Sequence, residues 1–343
     1  MSGRHRKQAS RPAGEQASKP TSKFVLAPSP ARQLARFPAR HYLSMLDLTR
    51  EELVRLLDRA AVMKDDRAAG RQSSRALEGK HVALLFEKLS LRTRCTFTIA
   101  VRELGGDVVE PPAAVALGGR ESVEDVARNL ERWVAGCVVR TYGQDGLARF
   151  AGAARRMHVI NALTDEEHPC QVLADMLTLR ERFGDLAGRT LAFIGDGNNV
   201  ATSLVHAGAL LGLHVRIASP KGYELPQAVA RTFDGIARDG ATLTLVTDPM
   251  EAARAADAIY TDTWTSMGQE EEATRRNRAF RGYQINAALM RAAENHAVFM
   301  HCLPAHRGSE VTDEVMDSPA SVVFDQSENR LHTQKALLEL LLT

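Results

Sequence analysis

Long apolar runs are missing from this chain. No stretch approaches the roughly 18 consecutive apolar residues that a membrane-spanning helix needs, and the N-terminal segment has no apolar core like that of a secretory signal. No membrane partner is expected, and the cytoplasm is the expected compartment. Cysteine is scarce as well. Cys95, Cys137, Cys170 and Cys302 are scattered and form no Cys-x-x-Cys pair, which predicts reduced thiols, no disulfide framework and no metal site. Charge of one sign is not in excess either: the formal net charge is +2.

That balance hides an asymmetry. Residues 1–40 hold nine Lys/Arg and one acidic residue, Glu15, which leaves 35 basic against 41 acidic residues in the remainder. A mildly acidic body offers no basic field for nucleic acid. Residues 1–36 are rich in Ser, Pro, Ala and basic side chains, and predict a disordered basic tail. The same residues are Arg-bearing and acid-poor, as organellar transit peptides are, but lack an amphipathic apolar face. A transit peptide is therefore the alternative, and it would make the chain organellar.

What is present is enough apolar material for two ordinary cores: 343 residues, 44% hydrophobic and 25% charged. Thr49 before Glu-Glu-Leu-Val-Arg-Leu-Leu predicts a capped first helix. Short apolar runs of strand length then recur at residues 81–86, 136–140, 157–161, 190–194, 214–218, 242–246, 258–260 and 297–300. Helical periodicity separates them, so the expected fold class is α/β, with two open parallel-sheet domains carrying helices on both faces. The apolar segment His168–Phe183 predicts a helix bridging the two. The expected division is a first domain over 37–170, a second over 171–324, and a closing helix over 325–343 packed back on the first.

The chemistry begins at Ser90-Leu91-Arg92-Thr93-Arg94, where a buried strand runs into a helix. Free backbone N–H groups and the helix dipole favour an anion there. Ser90 and Thr93 add hydroxyls, and Arg92 can grip phosphate oxygens in bidentate fashion. A lone Ser-x-Arg would be read more simply as a capped helix with an exposed first turn. Gly195-Asp196-Gly197-Asn198-Asn199-Val200 imitates the start of a dinucleotide fingerprint, but Val200 stands where the third glycine belongs, so no nicotinamide cofactor is expected.

Taken together, Ser90-Leu-Arg-Thr-Arg94, His168-Pro-Cys-Gln171 and His301-Cys-Leu-Pro304, in that order, resemble the aspartate/ornithine carbamoyltransferase superfamily. Asn198-Asn199, Asp262-Thr-Trp-Thr-Ser266-Met267-Gly268 and Glu328-Asn-Arg330 resemble its ornithine branch, and the likeness runs from about Tyr42 to Leu342. The resemblance implies transfer of a carbamoyl group from carbamoyl phosphate to the δ-amine of ornithine. It assigns Ser90, Leu91, Arg92 and Thr93 to the phosphate, and Arg140, His168, Gln171, Arg330 and the Leu303 carbonyl to the carbamoyl group. Asn199, Asp262, Ser266 and Met267 go to ornithine, with Cys302 beside the incoming amine. Arg140, His168, Asp262 and Cys302 become the catalytic set. No cofactor is implied, and a homotrimer with shared sites is.

Two departures stand out. Leu91 occupies a position where ornithine enzymes usually have threonine, and Ala116 one where a neighbouring subunit usually receives Gln or His. Val126 also replaces a usual threonine. Relatives that carbamoylate acylated ornithines tolerate leucine at the first position. This keeps another amine acceptor, or a weakened non-catalytic relative, as rival expectations.

Overall fold

The computed structural model describes residues 40–112, 117, 119–265 and 270–343. The expected basic tail, Ala116, Ser266, Met267 and Gly268 lie outside the described residues. Within them, every sheet neighbour is parallel. The first sheet runs β2-β1-β3-β4, from β1 (His81–Phe86), β2 (Asp107–Val109), β3 (Gly136–Arg140) and β4 (His158–Leu163). The second runs β7-β6-β5-β8-β9, from β5 (Thr190–Ile194), β6 (His214–Ala218), β7 (Thr242–Val246), β8 (Ala258–Thr261) and β9 (Val298–His301).

Helices join and cover the strands: α1 (Arg50–Ala68), α2 (Leu91–Glu103), α3 (Val123–Leu130), α4 (Gln144–Ala153), α5 (Pro169–Phe183), α6 (Asn199–Leu211), α7 (Gln227–Ile236), α8 (Pro249–Ala253), α9 (Ala273–Ala279), α10 (Ala287–Ala292), α11 (Asp313–Met316) and α12 (Val323–Leu342). The expected α/β class with two helix-flanked parallel sheets is the observed one.

Sequence explains why the elements start where they do. Thr49 caps α1 in a capping box with Glu52, Ser90 accepts from the Thr93 N–H to cap α2, and Asn198 accepts from Val200 and Ala201 to cap α6. Each such cap contributes about 1 kcal/mol. The central strands β3 and β5 are buried at every residue, because helices cover both faces. β7 was expected as one more buried strand. It is an exposed edge instead, with Leu245 48% accessible, and its Thr-Leu alternation fits a half-solvated position.

Two helices tie the halves together. α5 is buried from Pro169 to Leu179 and packs against α1, α6 and α12. α12 begins at Val323, two residues before the expected start, and lies against α1, α2 and α5. No apolar stripe marks its first half, where Gln326, Asn329, Arg330 and His332 are all buried.

In each sheet the chain reverses its direction of strand addition once, between β1 and β3 and between β5 and β8. Ligands in open α/β sheets bind beyond the strand C-termini at such switch points. The loops after β1, β3, β4, β5, β8 and β9 therefore define where to look.

Candidate active site

One side of the candidate site is built from three guanidinium groups. Arg92 sits in the first turn of α2, Arg140 is the last residue of β3, and Arg330 projects from the middle of α12. Arg140 and Arg330 are 8% and 2% exposed, and Arg92 is partly buried. Among the described residues none of the three forms an ion pair with a carboxylate. Arg330 donates to the Gln171 Oε1 at 2.7 Å and to the Thr93 hydroxyl, while the Nε atoms of Arg140 and Arg330 have no partner.

Unpaired buried cations are costly, and the pKa values register it. Burial, with Arg330 nearby, lowers Arg140 to about 10, and burial likewise lowers Arg330 and Arg92. Their convergence implies an anionic ligand, whose charge would relieve both desolvation and mutual repulsion.

His168 stands at the same place, immediately before Pro169 at the start of α5, with its ring buried and Nδ1 unpartnered. Burial first, then Arg330, Arg140 and Arg92, hold its pKa well below the ordinary histidine value. The imidazole is therefore neutral at physiological pH and can donate one hydrogen bond without carrying charge.

The other predicted residues fall into distinct settings. Ser90 is engaged as the α2 cap, and Thr93 is fully buried under Arg330. Leu91 is 75% exposed and brings no polar atom to the cradle. Gln171, expected at the carbamoyl group, donates its amide to Asp175 Oδ1 at 2.8 Å and accepts from Arg330. Val126 packs in a core cluster with Leu130, Leu147 and Phe150, so its departure from threonine is a packing matter.

On the opposite side, Asp262 follows β8, and Cys302 and Leu303 follow β9. Asp262 accepts from the Cys302 thiol at 2.9 Å, from Asn198 Nδ2 at 2.8 Å and from the Thr263 N–H at 2.7 Å. Burial and the Asp262 charge raise the Cys302 thiol well above its ordinary value, so it remains a protonated donor. Asn199 was expected at ornithine. Its amide donates to the Thr164 carbonyl at 2.6 Å, while the neighbouring Asn198 takes Asp262.

Ligand-type atoms of Asp262, His301 and Cys302 lie within 4.8 Å of one another. His301 Nδ1, however, accepts the Leu303 N–H at 2.8 Å, and its Nε2 faces Glu310 at 3.3 Å. These atoms thus form a hydrogen-bonded frame around the turn at Leu303, whose φ is +58°.

Sequence reasoning missed Asn198, Asp175 and Arg276. Asp175 lies four residues beyond Gln171 on the same helix face, a spacing that signals contact. Arg276 is buried, pairs with Asp196 and donates to the Trp264 carbonyl, in a segment whose sequence looks like a plain charged helix. Gly197 has a packing reason rather than a phosphate-binding one: a Cβ there would meet Leu225 N at 2.3 Å.

Comparison with known proteins fits this geometry. Residues 40–181 match "Aspartate/ornithine carbamoyltransferase, carbamoyl-P binding domain", and residues 187–341 match "Aspartate/ornithine carbamoyltransferase, Asp/Orn binding domain". The chain belongs to the aspartate/ornithine carbamoyltransferase family. It is 52% identical over 306 residues to the ornithine carbamoyltransferase of Acidothermus cellulolyticus, covering 88% of this chain and 96% of that protein. The crystal structure of ornithine carbamoyltransferase from Gloeobacter violaceus shares 45% identity at a TM-score of 0.79, covering 89% of this chain and 99% of that one. The ornithine carbamoyltransferase structure from Pyrococcus furiosus shares 44% at a TM-score of 0.85, covering 89% and 97%.

Proposed function

We propose that this chain transfers the carbamoyl group of carbamoyl phosphate to the δ-amine of L-ornithine, giving L-citrulline and phosphate. The observation that carries the reading is the convergence of Arg92, Arg140 and Arg330, none of them ion-paired among the described residues, with a neutral His168 beside them. Arg92, Ser90 and Thr93 hold the phosphate, helped by the N–H groups of the α2 first turn. Arg140 and His168 face the carbamoyl oxygen, and Arg330 faces the phosphate bridge, steadied by Gln171. The carbamoyl nitrogen donates to the Leu303 carbonyl.

Ornithine attacks through its neutral δ-amine. A C–N bond forms at the carbamoyl carbon, negative charge develops on its oxygen, and the C–O bond to phosphate then breaks. The departing phosphate accepts the proton that the amine loses. Preorganised donors at the developing oxyanion are each worth about 10²- to 10³-fold in rate. Asp262, held by Cys302 and Asn198, meets the ornithine α-ammonium, with Asn199, Ser266 and Met267 completing that subsite.

The reading places carbamoyl phosphate on the first-sheet domain, residues 37–170 with helix 325–343, and ornithine on residues 171–324, with catalysis between them. Self-association as a homotrimer follows the family expectation. The exposed Leu89, Leu91 and Trp133, at 80%, 75% and 69%, supply apolar surface for subunit contact. No helix among the described residues is long and apolar enough to cross a membrane, and a cytoplasmic site of action accords with that.

The exposed, apolar Leu91 favours one second reading, a carbamoyltransferase for an acylated ornithine or a diamine. Carbamoylation rates across ornithine, acetylornithine, putrescine and lysine discriminate. Highest kcat/KM with ornithine is expected, and a preference for another amine overturns the assignment.

A further inference from the structure

Helix α6 is mostly apolar, with polar side chains at Asn199, Thr202, Ser203 and His206. Asn199, Ser203 and His206 recur at the i, i+4, i+7 spacing that places side chains on a single helix face. All three meet the connection between β4 and α5, the segment that delivers His168. Asn199 Nδ2 donates to the Thr164 carbonyl at 2.6 Å. The Ser203 hydroxyl accepts the backbone N–H of His168 at 3.0 Å and donates to Glu167 Oε2 at 2.9 Å. His206 Nδ1 lies 3.4 Å from Glu167 Oε1.

Glu167 itself is 6% exposed and fully engaged from the other half of the molecule. The Ser44 hydroxyl donates to it at 2.5 Å and the Met45 N–H at 3.2 Å. Burial disfavours its charge, but His206, Ser44 and the Met45 N–H outweigh that and lower its pKa. One carboxylate therefore joins the segment before α1, the residue adjoining His168, and α6 of the second-sheet half.

None of these groups is needed to bury apolar surface, and burying the Glu167 carboxylate costs desolvation that its hydrogen bonds offset. What the arrangement supplies is a fixed position for one peptide. The His168 N–H has a single acceptor, Ser203, and that acceptor is oriented by Glu167. We infer that Glu167 acts through Ser203 as a positioning residue for His168, and that the polar stripe of α6 locks the His168 loop to the ornithine-binding half. This rests on the proposed reaction for its catalytic consequence, but not for its structural one.

The test uses the full chain and the variants Ser203→Ala, Glu167→Met and the double variant. Kinetics expressed per folded site should show kcat reduced about tenfold or more in each single variant, since small misplacements of an aligned group cost that much. KM for carbamoyl phosphate should stay within about twofold, because the arginines that grip the phosphate are untouched. The double variant should be no worse than the more severe single one, as expected for residues acting in one chain of contacts.

Hydrogen-exchange mass spectrometry on the peptide covering residues 164–171 reads the same lock without turnover. The His168 amide is expected to lose protection in each variant. Unchanged protection overturns the inference, as does a loss of melting temperature alone with kcat per folded site unaltered. Should Glu167→Met fail to fold, Ser203→Ala, which removes one hydroxyl, decides the matter. Wild-type protein that releases no citrulline yet shows the exchange difference contradicts the proposed reaction and leaves the lock standing.

Discussion

The Cys302 thiol donates a hydrogen bond to Asp262 Oδ1 at 2.9 Å, across the loops that follow β9 and β8. This bond fixes the carboxylate that we propose meets the acceptor, and burial together with the Asp262 charge keeps the thiol protonated. A thiol is a weak donor, so Cys302→Ala should lower kcat/KM for ornithine modestly, by about fivefold for a loss near 1 kcal/mol. Asp262→Asn removes a charge-assisted contact as well, and a loss of about ten- to a hundredfold is expected. Initial rates with ornithine titrated at saturating carbamoyl phosphate check both.

Arg140 is a cost to the ligand-free protein. Its folded-state pKa is lowered from the ordinary arginine value to about 10, mainly by burial and then by Arg330. Below about pH 10 the group is charged in both folded and unfolded chains, so the full penalty applies at neutral pH and fades as pH rises past that value. Arg140→Met should therefore stabilise the ligand-free protein by on the order of 3 kcal/mol while reducing kcat about a hundredfold or more. Urea unfolding paired with the citrulline assay measures the two effects.

Leu91 lies at the first position of α2, 75% exposed and with no polar atom to offer the cradle. Leu91→Thr should leave stability within about 0.5 kcal/mol. A hydroxyl that reaches a phosphate oxygen contributes about 1.5 to 3 kcal/mol, so KM for carbamoyl phosphate should fall by about ten- to a hundredfold. An unchanged KM would mean that backbone donors already satisfy that oxygen.

Asp175 gives a pH dependence of stability. Burial raises its carboxyl from 3.8 to about 7, against the hydrogen bonds from Gln171, Gln326 and Tyr260 that favour the charged form. The folded chain then binds more protons than the unfolded one between those values, so this group makes stability fall as pH rises from about 4 to about 7. Asp175→Asn should flatten that limb. Denaturant midpoints at pH 5 and pH 8 compare the slopes.

Most of the architecture was legible because the strands are short, mostly apolar runs, and β3, β5 and β6 begin and end where those runs do. β2 escaped notice because three exposed or half-exposed residues, Asp107–Val109, make no pattern. The anion site was legible through motifs whose residues come from α2, β3, α5 and α12, although no periodicity marks them as neighbours. What stayed hidden was the layer behind it. Gln171, Asp175 and Gln326 interact through buried amides and a carboxylate, and a sequence gives no sign of which polar groups face inward together. The contact between Asn198 and Asp262 was hidden for the same reason. Adjacent residues at a helix start point in different directions, and only the fold decides which one reaches Asp262.

The central claim is tested most directly by a steady-state assay of the purified chain with ornithine saturating and carbamoyl phosphate titrated, following citrulline and phosphate together. Equimolar release of both, at a rate that saturates with carbamoyl phosphate, is the predicted result. Phosphate release without citrulline, or no turnover at any concentration, would contradict it.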